Sequence, residues 1–355
     1  MNERLIAELE YRQHGDDARR QAIEEADRHA SRGEHAMAKY FQRKAALIDE
    51  IGAADRADQI RRATIHPDTS PLHGAISGIG IEGAFDLGDG VILRSVYAHV
   101  MAPYVMAFKK AEPGKPHPAP WKAAGGGRGF DVEVECALPA NVRPTNLDRL
   151  NTIWWISSLI RLHHAVAIRV PVVSDVPFDA APTSPQEPVF WTIEVETRRF
   201  HFDVPNEPNV IPRETLEWLR AHYVSAAKLM DDAGFNLAYR ALDESHRGAT
   251  RGSAMLLIWS ALEALFQPTP HKITHKISAA IATYLESDVQ KRDAFYQSNR
   301  ALYGTRSAIT HKAQEPDLLD LVNSFYLARR CFLRCLEAKT LPDFTALMKQ
   351  YDTRV

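Results

Sequence analysis

At 355 residues, with 45% apolar and 25% charged side chains, the chain has room for two or three domains and for a core that needs no staples. A formal net charge of −2 excludes a global basic field, so any nucleic-acid contact must rest on a local patch. Three cysteines, Cys136, Cys331 and Cys335, exclude a disulfide framework; the last two, four apart in an apolar helical stretch, read as buried reduced thiols.

The opening MNERLIAELEYRQHGDD is charged from its second residue and lacks an apolar secretory core. The longest strongly apolar run, Met255 to Phe266, is too short to span a bilayer. A cytoplasmic setting without a membrane partner is therefore expected. Residues 1–65 read as a helical hairpin: Ala22, Ala26 and Ala30, then Ala36, Tyr40, Leu47 and Ile51, fall near helical spacing, with Gly33 between the runs.

His66-Pro67 and Ser70-Pro71 end that pattern, and residues 74–205 turn rich in Gly, Pro and β-branched side chains. Strands are expected over Ala75–Phe85, Val91–Val100, Val132–Leu138, Ala165–Val173 and Phe190–Phe202, with a turn at Gly88-Asp89-Gly90 and one helix between Asn146 and Leu162. Glu112 to Gly129, with four prolines and Gly125-Gly126-Gly127, reads as an exposed mobile loop, and Val176 to Pro188 as a second. This portion is α+β and suits a sensor or regulatory role.

From Pro212 the periodicity is helical, with connecting helices over 212–246 and a plausible boundary at Ser245-His246-Arg247-Gly248. Four more helices follow over 247–345. They carry Met255, Trp259, Leu262 and Phe266; Ile273, Ile277, Ile281 and Leu285; Phe295, Leu302 and Tyr303; and Leu318, Val322, Phe325 and Leu336. Short links between four helices give an all-α bundle. The fold class is thus multidomain α+β: a helical hairpin, a strand-rich centre and a C-terminal bundle.

The chemistry-bearing stretch is Tyr303-Gly304-Thr305-Arg306-Ser307-Ala308-Ile309-Thr310-His311-Lys312. On a regular helix, five residues leave Arg306 and His311 roughly 140° apart. They converge only if the helix ends near Thr310 or the arginine reaches around. Glu263, between Trp259 and Phe266 on an apolar surface, needs a partner, and Arg306 or His311 is the candidate. Between 247 and 312 basic residues outnumber acids by about two to one, with Lys276, Arg300 and Lys312 available to a phosphate backbone.

Together with Leu262-Glu263-Ala264-Leu265, the set Leu302-Tyr303, Arg306-Ser307, Ile309 and His311 resembles the Apea-like branch of the HEPN superfamily over about a hundred residues. That branch carries an R-x4–6-H motif; Lys312 stands where glycine often follows the histidine. The resemblance implies a metal-independent endoribonuclease with Arg306 and His311 catalytic, Glu263 and Ser307 supporting, and no cofactor. It also implies a homodimer whose two motif pairs share one cleft, and a regulated toxin acting in defence against phage. A rival reading keeps the bundle as a non-catalytic dimerisation or nucleotide/RNA-binding scaffold, with the central portion recognising a partner or ligand trigger.

His271 and His275, four apart, would share a face if that segment is helical, but no HExxH and no third ligand accompany them, so no metal is expected. His163-His164, Asp16-Asp17 and Asp231-Asp232 read as packed or solvated residues. No GxSxG, CxxC pair or phosphate-binding glycine pattern is present.

Overall fold

Alanine spacing in the N-terminal segment produces Asp16–Ser31 (α1) and a second helix over 35–49 (α2). Gly33, at φ +73°, turns the chain between them. Ala18, Ala22, Ala45 and Ile48 pack together, and Arg19 pairs with Asp49 at 2.6 Å. Ala30 and Ala36, expected on the inner face, are exposed. The computed structural model describes residues 16–49, 70–109, 118, 120–142, 144, 147–185, 188–193, 210–269, 271–312 and 314–353; it divides into two compact units, Met1–Asp68 and Thr69–Val355. Ile51 and the remainder of the first 65 residues lie outside the described part.

The second unit is a mixed α+β assembly, mostly helical, around one antiparallel six-stranded sheet. Its strands are Leu72–Ser77 (β1), Ala84–Gly88 (β2), Val91–Ala107 (β3), Trp121–Leu138 (β4), Arg169–Ser174 (β5) and Phe190–Thr192 (β6), in the order β2-β3-β4-β1-β5-β6. Every residue of β1 is buried, because both faces are covered. Arg149–His164 (α3), capped by Asp148 accepting from the Asn151 amide at 2.7 Å, lies on one face. Its approach requires Gly74: a β-carbon there would sit 2.5 Å from Ile153 Cγ2. On the opposite face, the segment after β5 lays Phe178 over Ala75, Val132 and Val172.

Beyond the sheet, Arg213–Ala227 (α4) and Ala233–Ser245 (α5) lead into Arg251–Phe266 (α6), Ile273–Leu285 (α7), Val289–Lys312 (α8), Leu318–Ala338 (α9) and Phe344–Asp352 (α10). Polar caps mark several starts: Asp232 accepts from Phe235, Thr250 and Ser253 form a capping box, and Asp343 accepts from Ala346. One apolar core runs from Leu72 and Val134 through Trp155 and Tyr223 to Trp259, Phe325 and Leu336. The expected boundary at Ser245–Gly248 is not an exposed link: His246 and Arg247 are buried there. Asp243 is buried with them, accepting from Arg161 Nε at 2.7 Å and from Trp154 Nε1 at 2.9 Å.

Several local expectations change. The stretch Ala75–Phe85 is two strands, because Gly78 (φ +92°) and Gly83 (φ +68°) break it. From Trp121 onward the expected mobile loop is strand β4. Antiparallel pairing needs only backbone, and Gly125–Gly127 sit at a register shift, between the Ala102–Arg128 and Tyr104–Ala124 pairs, rather than in a loop. Phe190–Thr192 covers the start of the last expected strand, and residues 194–209 lie outside the described part. Leu318 is exposed rather than core-facing. The short α10 was not foreseen. Cys136, Cys331 and Cys335 are free, buried thiols, and burial pushes each thiol's pKa up, to about 12 for Cys136 and Cys335.

Candidate functional site

Trp259 and Glu263, one turn apart on α6, and Tyr303 and Arg306, three apart on α8, build the site where the two helices face each other. Trp259 is fully buried and meets the Tyr303 ring edge-on at 5.1 Å. The Tyr303 hydroxyl donates to Glu263 Oε1 at 2.9 Å, and Arg306 Nη2 pairs with the same oxygen at 3.2 Å. The Arg306 guanidinium also lies over the Tyr303 ring, 5.4 Å from its centroid. Burial, then the hydrogen bond to Glu263, push the Tyr303 phenol up to about 12, so it stays a protonated donor. Arg306 Nε is shut off from solvent without a hydrogen-bond partner.

The helix does not end near Thr310; α8 continues through Lys312. His311 is therefore exposed on a face roughly 140° from Arg306, and the two side chains are not brought together within one chain. Ser307 and His311, four apart, share a face, and Arg300, eleven residues before His311, falls within about 20° of it. Gly304 adds no side chain there, and nothing lies within 4 Å of a β-carbon built on it. Lys312 is exposed at the helix end.

The α8–α9 link folds back onto the same end of the bundle. Glu315 accepts from the Gly252 amide at 3.0 Å, and Thr305 donates to Asp320 at 2.9 Å. That contact sets the first turn of α9 beside the Arg306 turn, with Leu318 54% and Leu319 68% exposed.

Lys276 belongs elsewhere. Its ammonium bonds Thr269 Oγ1 beside Phe344 and Met348 of α10. The adjacent His275 bonds Tyr296, ten residues before Arg306, about 15 Å along α8. His275 is thus a packed ring between Tyr296 and Tyr351. Among the described residues no cluster of three potential metal ligands occurs. No described helix is long and apolar enough to cross a membrane.

Comparison with family models, with curated proteins and with solved structures gives no match to this chain. The site must be read from its own geometry.

The partner of Glu263 was legible in the sequence; the role of Tyr303 was not, although its spacing of three from Arg306 placed both toward α6. Leu318 and Leu319 were missed because a helical stripe does not say which end of a helix runs past the core.

Proposed function

We propose that this chain is a metal-independent endoribonuclease of the HEPN type, active as a homodimer through Arg306 and His311. In such a reaction the ribose 2′-oxygen attacks the adjacent phosphorus, the bond to the 5′-oxygen breaks, and the products end in a 2′,3′-cyclic phosphate and a 5′-hydroxyl. An imidazole removes the 2′-proton, an imidazolium supplies one to the leaving oxygen, and a guanidinium stabilises the charge gathering on the phosphoryl group. One histidine does not do both jobs at once; two copies supply two.

The carrying observation is Arg306 itself. Glu263 and Tyr303 fix it, while its side chain keeps 22% of its surface open, so a held guanidinium is left for a phosphate oxygen to meet through its accessible edge. The separation of Arg306 and His311 on α8 fits a site shared across a two-fold axis, where His311 of one copy meets Arg306 of the other. Exposed Leu318 and Leu319 beside the motif give that contact an apolar margin. The strand-rich part would hold the activity in check until a trigger arrives, and uncontrolled RNA cleavage would arrest growth, as a defence effector requires.

The same separation favours a second reading, a non-catalytic dimerisation or RNA-binding scaffold. Purified wild type, Arg306→Ala and His311→Ala, incubated with RNA in EDTA, separate the two. Cyclic-phosphate ends from wild type alone support the nuclease. Equal RNA integrity in all three, together with equal expression without toxicity under resting and inducing conditions, leaves the scaffold.

A further inference from the structure

From Ala264 to Leu285 the sequence holds no acid, while His271, Lys272, His275 and Lys276 crowd the middle of that stretch. The fold gives two of these residues different work. His275 packs between Tyr296 and Tyr351 and so belongs to the joint between helices. Lys276, one residue on, lines a cavity of about 560 Å³ bordered by the α6–α7 link, α7 and α10. That volume lies within the range of about 300–1,000 Å³ typical of small-molecule sites.

The cavity has an apolar wall and a cationic rim. Phe344 and Met348, one turn apart on α10 and both half-buried, form the wall. Met348 also packs on Ala279, Ala282 and Tyr296, which ties the wall to α7 and α8. On the rim, the half-buried Lys276 bonds the hydroxyl of Thr269, a neutral partner, and Lys349 stands exposed on α10. Among the described residues neither lysine is ion-paired, and Asp352 is the one acid of the lining, so positive charge is in excess. An ammonium held by a neutral hydroxyl forgoes the stronger, charge-assisted bond that an anion offers.

The rim favours one kind of anion. A phosphate monoester brings three free oxygens and about two negative charges, which match two cations and the flanking Thr269 and Thr345 hydroxyls better than a carboxylate does. The group attached to that phosphate must lie on Phe344 and Met348. A flat ring suits them, because an aromatic face and a thioether both attract a π-system. A simple sugar would bring hydroxyls to that wall and leave them without partners.

We infer that the α7–α10 cavity binds a nucleoside monophosphate, its phosphate on Lys276 and Lys349 and its base against Phe344 and Met348. The site stands apart from the proposed nuclease residues. Its test is titration calorimetry of the full-length protein with adenosine 5′-monophosphate, adenosine and inorganic phosphate as separate probes. The monophosphate is expected to bind, and adenosine and phosphate each at least ten-fold more weakly. Lys276→Met, which keeps the apolar stem, is expected to weaken monophosphate binding at least ten-fold, and Lys349→Met to weaken it less. Phe344→Ser should weaken the monophosphate and adenosine alike. Arg306→Ala should change nothing. Circular dichroism confirms that each variant is folded.

No binding of the monophosphate by folded wild type at low salt overturns the inference, as does equal affinity in both lysine variants. Loss of binding in Arg306→Ala with Lys276→Met unaffected also overturns it, by moving the nucleotide to α8. Inorganic phosphate binding as tightly as the monophosphate, with Phe344→Ser indifferent, removes the nucleoside. RNA cleavage without monophosphate binding removes the cavity site alone; Lys276-dependent binding without cleavage supports it and removes the nuclease reading alone.

Discussion

Glu263 and Arg306 meet at 3.2 Å between α6 and α8, and the same Glu263 oxygen takes the Tyr303 hydroxyl at 2.9 Å. The carboxylate thereby fixes a cation whose proposed work is on a phosphate. Glu263→Gln keeps the shape and removes the charge. It is expected to lower RNA cleavage about ten-fold or more, with thermal stability changed by no more than about 1 kcal/mol, since both side chains are partly solvated. Tyr303→Phe should have a smaller effect on the rate. Initial rates beside melting curves check both, and an unchanged Glu263→Gln rate removes the positioning role.

Leu318 and Leu319 open α9 exposed, beside the turn that carries Arg306. If two copies join there, Leu319→Asp puts a charge into the joint and takes nothing from the monomer core. The expected result is a monomer by light scattering, folded to the same melting temperature within a few degrees, with cleavage lost. A dimer that persists with full activity places the contact elsewhere.

Asp243 is the anchor where α3, α5 and the start of the bundle meet. Burial opposes its charge, but Arg161 and Arg247 more than offset that and hold its pKa far below the usual carboxylate range. Arg161 Nε and Trp154 Nε1 both donate to it. Asp243→Ala strands buried guanidinium charge and is expected to cost about 3–5 kcal/mol, read from urea denaturation. A loss under about 1 kcal/mol would mean that water reaches the site.

Helical periodicity made the bundle helices and α3 readable, because each buries a continuous stripe against a partner. The sheet was harder. Glycine carries opposite meanings at Gly83, where the chain turns, and at Gly125–Gly127, where it runs on as strand, and only the pairing partner distinguishes them. The Glu263–Arg306 contact could be foreseen from a carboxylate on an apolar face. That Lys276 belongs with α10, and that Arg306 and His311 stay on different faces, depends on where helices end, which local spacing does not fix.

Glu135 makes acid stability a sharp test of the sheet. It is fully buried on β4, accepting from Arg94 Nε at 2.9 Å and from the Phe178 amide at 2.8 Å, and paired with His73 at 2.9 Å; Arg94 also reaches Asp179. Burial raises its pKa, but the bonds from His73, Arg94 and Phe178 outweigh it and hold the carboxyl at about 2, against an ordinary 4.5. A depressed carboxylate pKa stabilises the fold above the unfolded value. The contribution, roughly 3 kcal/mol, is complete above about pH 4.5 and fades as pH falls toward 2. Glu135→Gln is therefore expected to be less stable than wild type at pH 7 by up to that amount, and the gap should close between pH 4.5 and 2. Urea titrations of both proteins across that range read it directly. A gap independent of pH would mean that Glu135 stabilises through shape and hydrogen bonding, not through its charge.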